Sequence, residues 1–153
     1  MDEKTYLLDW AYHFFKSRDS VQRRLSEIKQ AKDHLTLIHK DGNHTLVYAG
    51  HDITGITEMT KGKKAVGVFF NTGDNLTELY ERWDTLTTEN TLTLYFINPL
   101  SKNEPYWVIR PAIHTRIADP SSLKQGLKSM SSNVDTISQR QIKTLINSRG
   151  SSS

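Results

Sequence analysis

The run Ala65-Val-Gly-Val-Phe-Phe70 is apolar at every position, and it limits the possible folds more than any other segment. A strand with one wet face alternates polar and apolar residues. A run without alternation reads as a central strand covered on both sides. Its neighbours fit that frame. Asn75-Leu-Thr-Glu78 reads as a capping box opening an amphipathic helix to about residue 86, with Leu76, Leu79, Tyr80, Trp83 and Leu86 inward. Thr91-Leu-Thr-Leu-Tyr-Phe-Ile97 then resumes the sheet, and Gly67 reads as a point of close packing against a helix.

Upstream, residues 4–16 place Leu7, Leu8, Ala11, Phe14 and Phe15 at helical spacing. Asp19 or Ser20 is placed to cap a second helix with the stripe Val21, Leu25 and Ile28 and a basic outer face. His34-Leu-Thr-Leu-Ile-His39 and Thr45-Leu-Val-Tyr-Ala49 flank Asp41-Gly42-Asn43 and predict a hairpin. Residues 50–63 read as a loop with one short strand or turn. Downstream, Tyr106-Trp-Val-Ile109 is a strand that Pro111 bends or confines to an edge, with 112–117 continuing it. Ser122-Leu-Lys-Gln125 and Ser138-Gln-Arg-Gln141 read as capping boxes of two further helices. The expected architecture is one α/β domain over 1–147, with a mixed sheet of about five strands, helices on both faces and a helical C-terminal extension. The serine-rich end, 148–153, is expected to be disordered.

With 153 residues and no cysteine, the chain can bury a core but form neither disulfides nor thiolate metal sites. No apolar run approaches the roughly 18 residues of a membrane span, and Met1-Asp2-Glu3-Lys4 is no basic leader. The expectation is a soluble, cytoplasmic protein without a membrane partner. The net charge is a mild +3, but its distribution is uneven. Segment 16–32 carries six basic against two acidic side chains, an excess of +4, and the part beyond 120 carries five against one, again +4. Segment 72–90 is acidic, with five carboxylates against Arg82. Basic ends suit phosphates or a partner; the plainer reading is a solvated surface of uneven sign.

No motif for chemistry stands out. The histidines at 13, 34, 39, 44, 51 and 114 never fall three or four apart on a helix, and no adjacent carboxylate completes a ligand set. No metal is expected. There is no Gly-x-Ser-x-Gly elbow, no phosphate loop around Gly62-Lys63-Lys64, and no dinucleotide fingerprint around Gly67.

The order of helix, hairpin, buried strand, helix and strand over 4–97 resembles the restriction-endonuclease-like fold. In that superfamily an Asp on the second strand and a Glu-x-Lys or Asp-x-Lys on the third hold a divalent metal, magnesium for instance. The resemblance implies Asp52 as the first acid, just after the second strand. The third strand, 64–71, has no acid, and Glu58 with Lys61 lies upstream and one residue too wide. The chain thus resembles a degenerate member lacking the nuclease site.

In Tyr106-Trp-Val-Ile-Arg-Pro-Ala-Ile-His-Thr-Arg-Ile117, a straight strand would put Arg110, Ala112, His114 and Arg116 on one cationic face. The plainer reading is an edge strand kept apart by charge. A nucleic-acid interface would join Arg18, Arg23 and Arg24 with Lys61, Lys63 and Lys64, or with Arg110 and Arg116. Trp83, Trp107 and the phenylalanines fit the core, so base stacking is not expected. The leading expectation is a non-enzymatic protein binding nucleic acid or a protein through these cations, without a cofactor. A divalent-metal nuclease using Asp52, Glu58 and Lys61 is the rival, and a subunit of a protein complex or homo-oligomer is the third possibility.

Overall fold

In the computed structural model, which describes residues 1–117 and 119–151, six strands form a single mixed sheet in chain order. They are β1 (Leu25–Gln30), β2 (Leu35–His39), β3 (His44–Ala49), β4 (Ala65–Phe70), β5 (Leu92–Ile97) and β6 (Tyr106–Ile109). The first three pair antiparallel, β3, β4 and β5 run parallel, and β6 returns antiparallel beside β5. Among the described residues seven α-helices accompany the sheet: α1 (Glu3–Gln22), α2 (Ile56–Thr60), α3 (Gly73–Glu81), α4 (Trp83–Leu86), α5 (Pro111–Ile117), α6 (Leu123–Ser131) and α7 (Gln139–Ser151). No helix among the described residues is long and apolar enough to cross a membrane.

All six β4 residues are buried, as the unbroken apolar run predicts. The sheet divides the interior. Even-numbered Val66, Val68 and Phe70 join Leu7, Ala11 and Phe15 of α1 and Ile142 of α7 in one core. Odd-numbered Ala65 and Phe69 join Leu79, Trp83, Leu94 and Trp107 in the other. Gly67 packs within the sheet rather than against a helix: a Cβ there would lie 2.7 Å from the Phe69 ring and 3.0 Å from Leu94.

The expected second helix is instead strand β1. The pairing shifts between Leu25 and Glu27, leaving Ser26 as an extra residue. Leu25 and Ile28, three apart, would face opposite ways on a regular strand. The bulge turns both toward the α1 core, which mimics helical spacing in the sequence. Val21, counted in that stripe, is 84% exposed at the end of α1. The chain leaves α1 through Arg23, whose φ of 52° is left-handed; for a residue with a Cβ this costs roughly 1 kcal/mol. Asp19 fixes the exit by accepting the backbone N–H groups of Arg24 at 2.7 Å and Leu25 at 2.9 Å.

Pro111 does not bend a continuing strand. It opens α5, at the first turn, where its missing N–H is no loss. The strand face built from Arg110, Ala112, His114 and Arg116 therefore does not exist. The loop expected over 50–63 holds α2. The α3 cap is Thr72, whose hydroxyl accepts from the Asn75 N–H at 3.1 Å, one turn before the expected capping box, and Tyr80, expected inward, is 43% exposed. Ser122 donates back to the Asp119 carbonyl and forms no box with Gln125. The Ser138–Gln141 box does form, at 2.9 and 3.2 Å. The final helix runs on through Ser151 where a frayed end from 148 was expected, with Arg149 paired to Asp9 of α1; residues 152 and 153 lie outside the described residues.

Candidate functional site

Helix α1 covers only part of the sheet face on which it lies. Its last turns, with Phe15, Arg18 and Gln22, form one wall of a cleft of about 770 Å³. The floor comes from the end of the sheet where β3, β4 and β5 begin: Thr45, Val66, Thr93 and Tyr95. That volume falls within the range of small-ligand sites.

Six cationic residues line the cleft: Arg18, Arg23, Arg24, Lys40, Lys64 and Arg110. Each is exposed, and among the described residues none forms an ion pair within 4.0 Å. Arg18 donates Nη1 to the Tyr95 hydroxyl at 3.1 Å. The two acids present, Asp19 and Asp41, are engaged elsewhere. Asp19 caps the exit of α1, and Asp41 accepts from Asn43 through both carboxylate oxygens, at 2.9 and 3.1 Å. The Asn43 backbone bond, with His39 and Lys64 nearby, holds the Asp41 carboxyl below its usual range. Two carboxylates against six cations leave the cleft strongly positive, so its chemistry is that of an anion site. At its floor, His39 Nε2 lies 2.7 Å from the buried Thr45 hydroxyl.

The fold thus gathers Arg18, Arg23, Arg24, Lys64 and Arg110 from the set expected on charge. Lys61 and Lys63 are exposed in the turn before β4, and the Lys63 carbonyl is held by Thr91 of the cleft rim at 3.0 Å. His114 and Arg116 do not join them. They sit on α5, where His114 meets the Trp83 ring edge-on at 5.6 Å and Arg116 donates to Asn90 at 3.1 Å. Charge counting overlooks Lys40, which stands at the hairpin turn; the turn signal Asp41-Gly42 gave its position but not its neighbours.

The candidate nuclease residues do not converge on the cleft. Asp52 follows the far end of β3, where its Oδ1 accepts from the Thr54 N–H at 3.0 Å. Glu58 is exposed on α2, and Lys61 follows that helix. Because β3 and β4 are parallel, Asp52 and the turn before β4 lie toward opposite ends of the sheet. Among the described residues no group of three His, Asp or Glu side chains is placed to hold a metal ion. These residues do not fit a magnesium site.

The cleft continues along α1 into a second open recess of about 780 Å³, lined by Trp10, Phe14, Tyr106 and Arg149. Arg18, Tyr95 and Val108 line both, so one groove runs beside the helix. Of its aromatic half, hydropathy assigns Phe14 to the core and leaves Trp10 and Tyr106 unplaced; the spacing of Trp10, Phe14 and Arg18, four apart on one helix stripe, is the available signal.

No family model, no curated protein and no solved structure matches this chain.

Proposed function

We propose that the protein binds the sugar–phosphate backbone of nucleic acid in the cationic cleft and does not cut it. The observation that carries this reading is the set of six exposed cations without carboxylate partners around one concave site. Guanidinium and ammonium groups held apart like this meet phosphates, and release of their counterions drives association. The likeness of 4–97 to the restriction-endonuclease-like fold is part of the same proposal, and it agrees with a nucleic-acid ligand. Binding without cleavage follows from the donor set: neither β3 nor β4 carries a carboxylate. An acidic protein segment is the competing occupant.

The test is fluorescence anisotropy with a labelled random-sequence oligonucleotide across a salt series. Binding at about 50 mM salt should weaken steeply as salt rises. Lys64→Gln, Arg110→Gln and Arg23→Gly should each lower affinity and reduce the salt slope by about one. Arg23→Gly is the cleanest of the three, since glycine accepts the left-handed φ and the fold should be no less stable. Arg116→Gln, on α5, should bind like the wild type. Absence of binding at 50 mM salt, or displacement by polyglutamate as readily as by unlabelled oligonucleotide, overturns the proposal. Cleavage of DNA with magnesium that Asp52→Ala abolishes would overturn its non-catalytic half.

A further inference from the structure

The second half of the groove has a different chemistry from the first. Trp10 and Phe14 on α1 stack at 4.9 Å with planes 10° apart, and Tyr106 on β6 meets Phe14 edge-on at 5.1 Å. All three rings are half-buried, resting on the α1 core beneath them. Together they form an aromatic ledge joined without a break to the cationic cleft. Arg18 stands at the junction, anchored by its bond to Tyr95.

We infer that the nucleic acid held in the cleft is single-stranded, with bases stacked on the Trp10, Phe14 and Tyr106 ledge and phosphates led through the cations. This rests on the function proposed above and narrows it. Charges alone would serve duplex and single strand alike. The ledge discriminates, because in a duplex both faces of each base are already covered and only edges and backbone are offered. An unpaired strand presents alternate negative groups and flat rings, and the groove presents a complement to each. From Trp10 to Arg23 the helix rises about 20 Å, room for about six stacked nucleotides at roughly 3.4 Å each. Stacking without edge contacts is tolerant of sequence, so little base preference is expected.

The experiment compares a twelve-nucleotide oligo-dT, a duplex and an abasic oligomer of the same length, all labelled, on the full chain. The wild type should bind oligo-dT on the order of tenfold or more tighter than the abasic oligomer, the loss expected for even one stacked base. The duplex should bind more weakly than oligo-dT. Trp10→Leu, which keeps apolar bulk, should lose that preference while keeping the salt slope, whereas Lys64→Gln should lower the slope and keep the preference. Trp10→Phe should retain much of the preference and guards against a folding defect in the leucine variant. Equal affinity for oligo-dT and the abasic oligomer overturns the ledge and leaves the backbone-binding proposal standing. Failure of all three probes to bind at about 50 mM salt overturns both.

Discussion

Arg18 on α1 and Tyr95 on β5 are 77 residues apart in sequence and joined by a 3.1 Å hydrogen bond from the guanidinium to the phenol oxygen. Tyr95 is buried. Desolvation pushes its ionisation upward, while the neighbouring Arg18 charge and hydrogen bond oppose that rise. Tyr95→Phe removes the hydroxyl and is expected to cost about 0.5–1.5 kcal/mol in urea denaturation. The pH dependence has a definite sign. A folded-state pKa above the ordinary 10.0 gives a contribution that is complete below pH 10.0 and lost as pH climbs through the folded value. Wild-type stability should therefore fall more steeply above pH 10 than that of Tyr95→Phe. Tyr6, raised chiefly by burial as well, supplies part of what remains.

At the other end of the sheet, buried Asn71 joins three segments. Its Oδ1 accepts from the Trp107 indole at 2.9 Å, and its Nδ2 donates to the Val134 carbonyl at 3.1 Å. Its backbone carbonyl receives the Ile137 N–H at 3.1 Å. Trp107→Phe leaves that Oδ1 buried without a donor, and a loss of about 1–3 kcal/mol is expected in chemical denaturation. Asn71→Ala should cost more, because it also releases the segment before α7. If Asn71→Ala proves the milder change, the hub is not what holds that segment.

Gly67 is the point in β4 where no side chain fits. A methyl would collide with the Phe69 ring, itself fully buried. Gly67→Ala should destabilise by about 1–3 kcal/mol, read as a fall of several degrees in Tm. The clash lies in the core away from α1, so oligonucleotide affinity at a permissive temperature should be unchanged.

His51, after β3, meets Glu3 in the first turn of α1 at 2.9 Å. That hydrogen bond, helped by the charges of Glu3, Asp52 and Asp74, raises the imidazole pKa against the opposing effect of burial. The raised folded value gives a stabilisation that is full below pH 6.5 and lost as pH rises through that folded value. With the imidazole 60% exposed, solvent screening keeps the effect below about 1 kcal/mol. His51→Gln should flatten the stability profile above pH 6.5, and high salt should flatten it in the wild type.

The sequence is most legible where one local pattern decides. Six apolar residues in a row, short and rich in valine and phenylalanine, favour a doubly covered strand, and Asp41-Gly42 between two apolar runs favours a hairpin. It misleads where an irregularity imitates another period. The bulge at Ser26 puts Leu25 and Ile28 on one side of a strand, and Pro111 serves a helix start as readily as a strand edge. For the site, charge picked out Arg18, Arg23, Arg24, Lys64 and Arg110 but could not separate them from Arg116 or His114. That sorting depends on strand order, since the cleft residues span positions 15 to 110 and meet only after the sheet closes beneath α1. The aromatic ledge was hidden for a related reason: a half-buried ring and a buried one have the same hydropathy.

The alternation along β4 has a consequence for how this protein tolerates change. Odd positions look away from the groove and even positions toward its helical wall. The sheet is thus an insulating partition. Variation behind it is free to erode robustness while recognition stays intact, whereas drift at Val66 or Val68 tilts the binding wall itself.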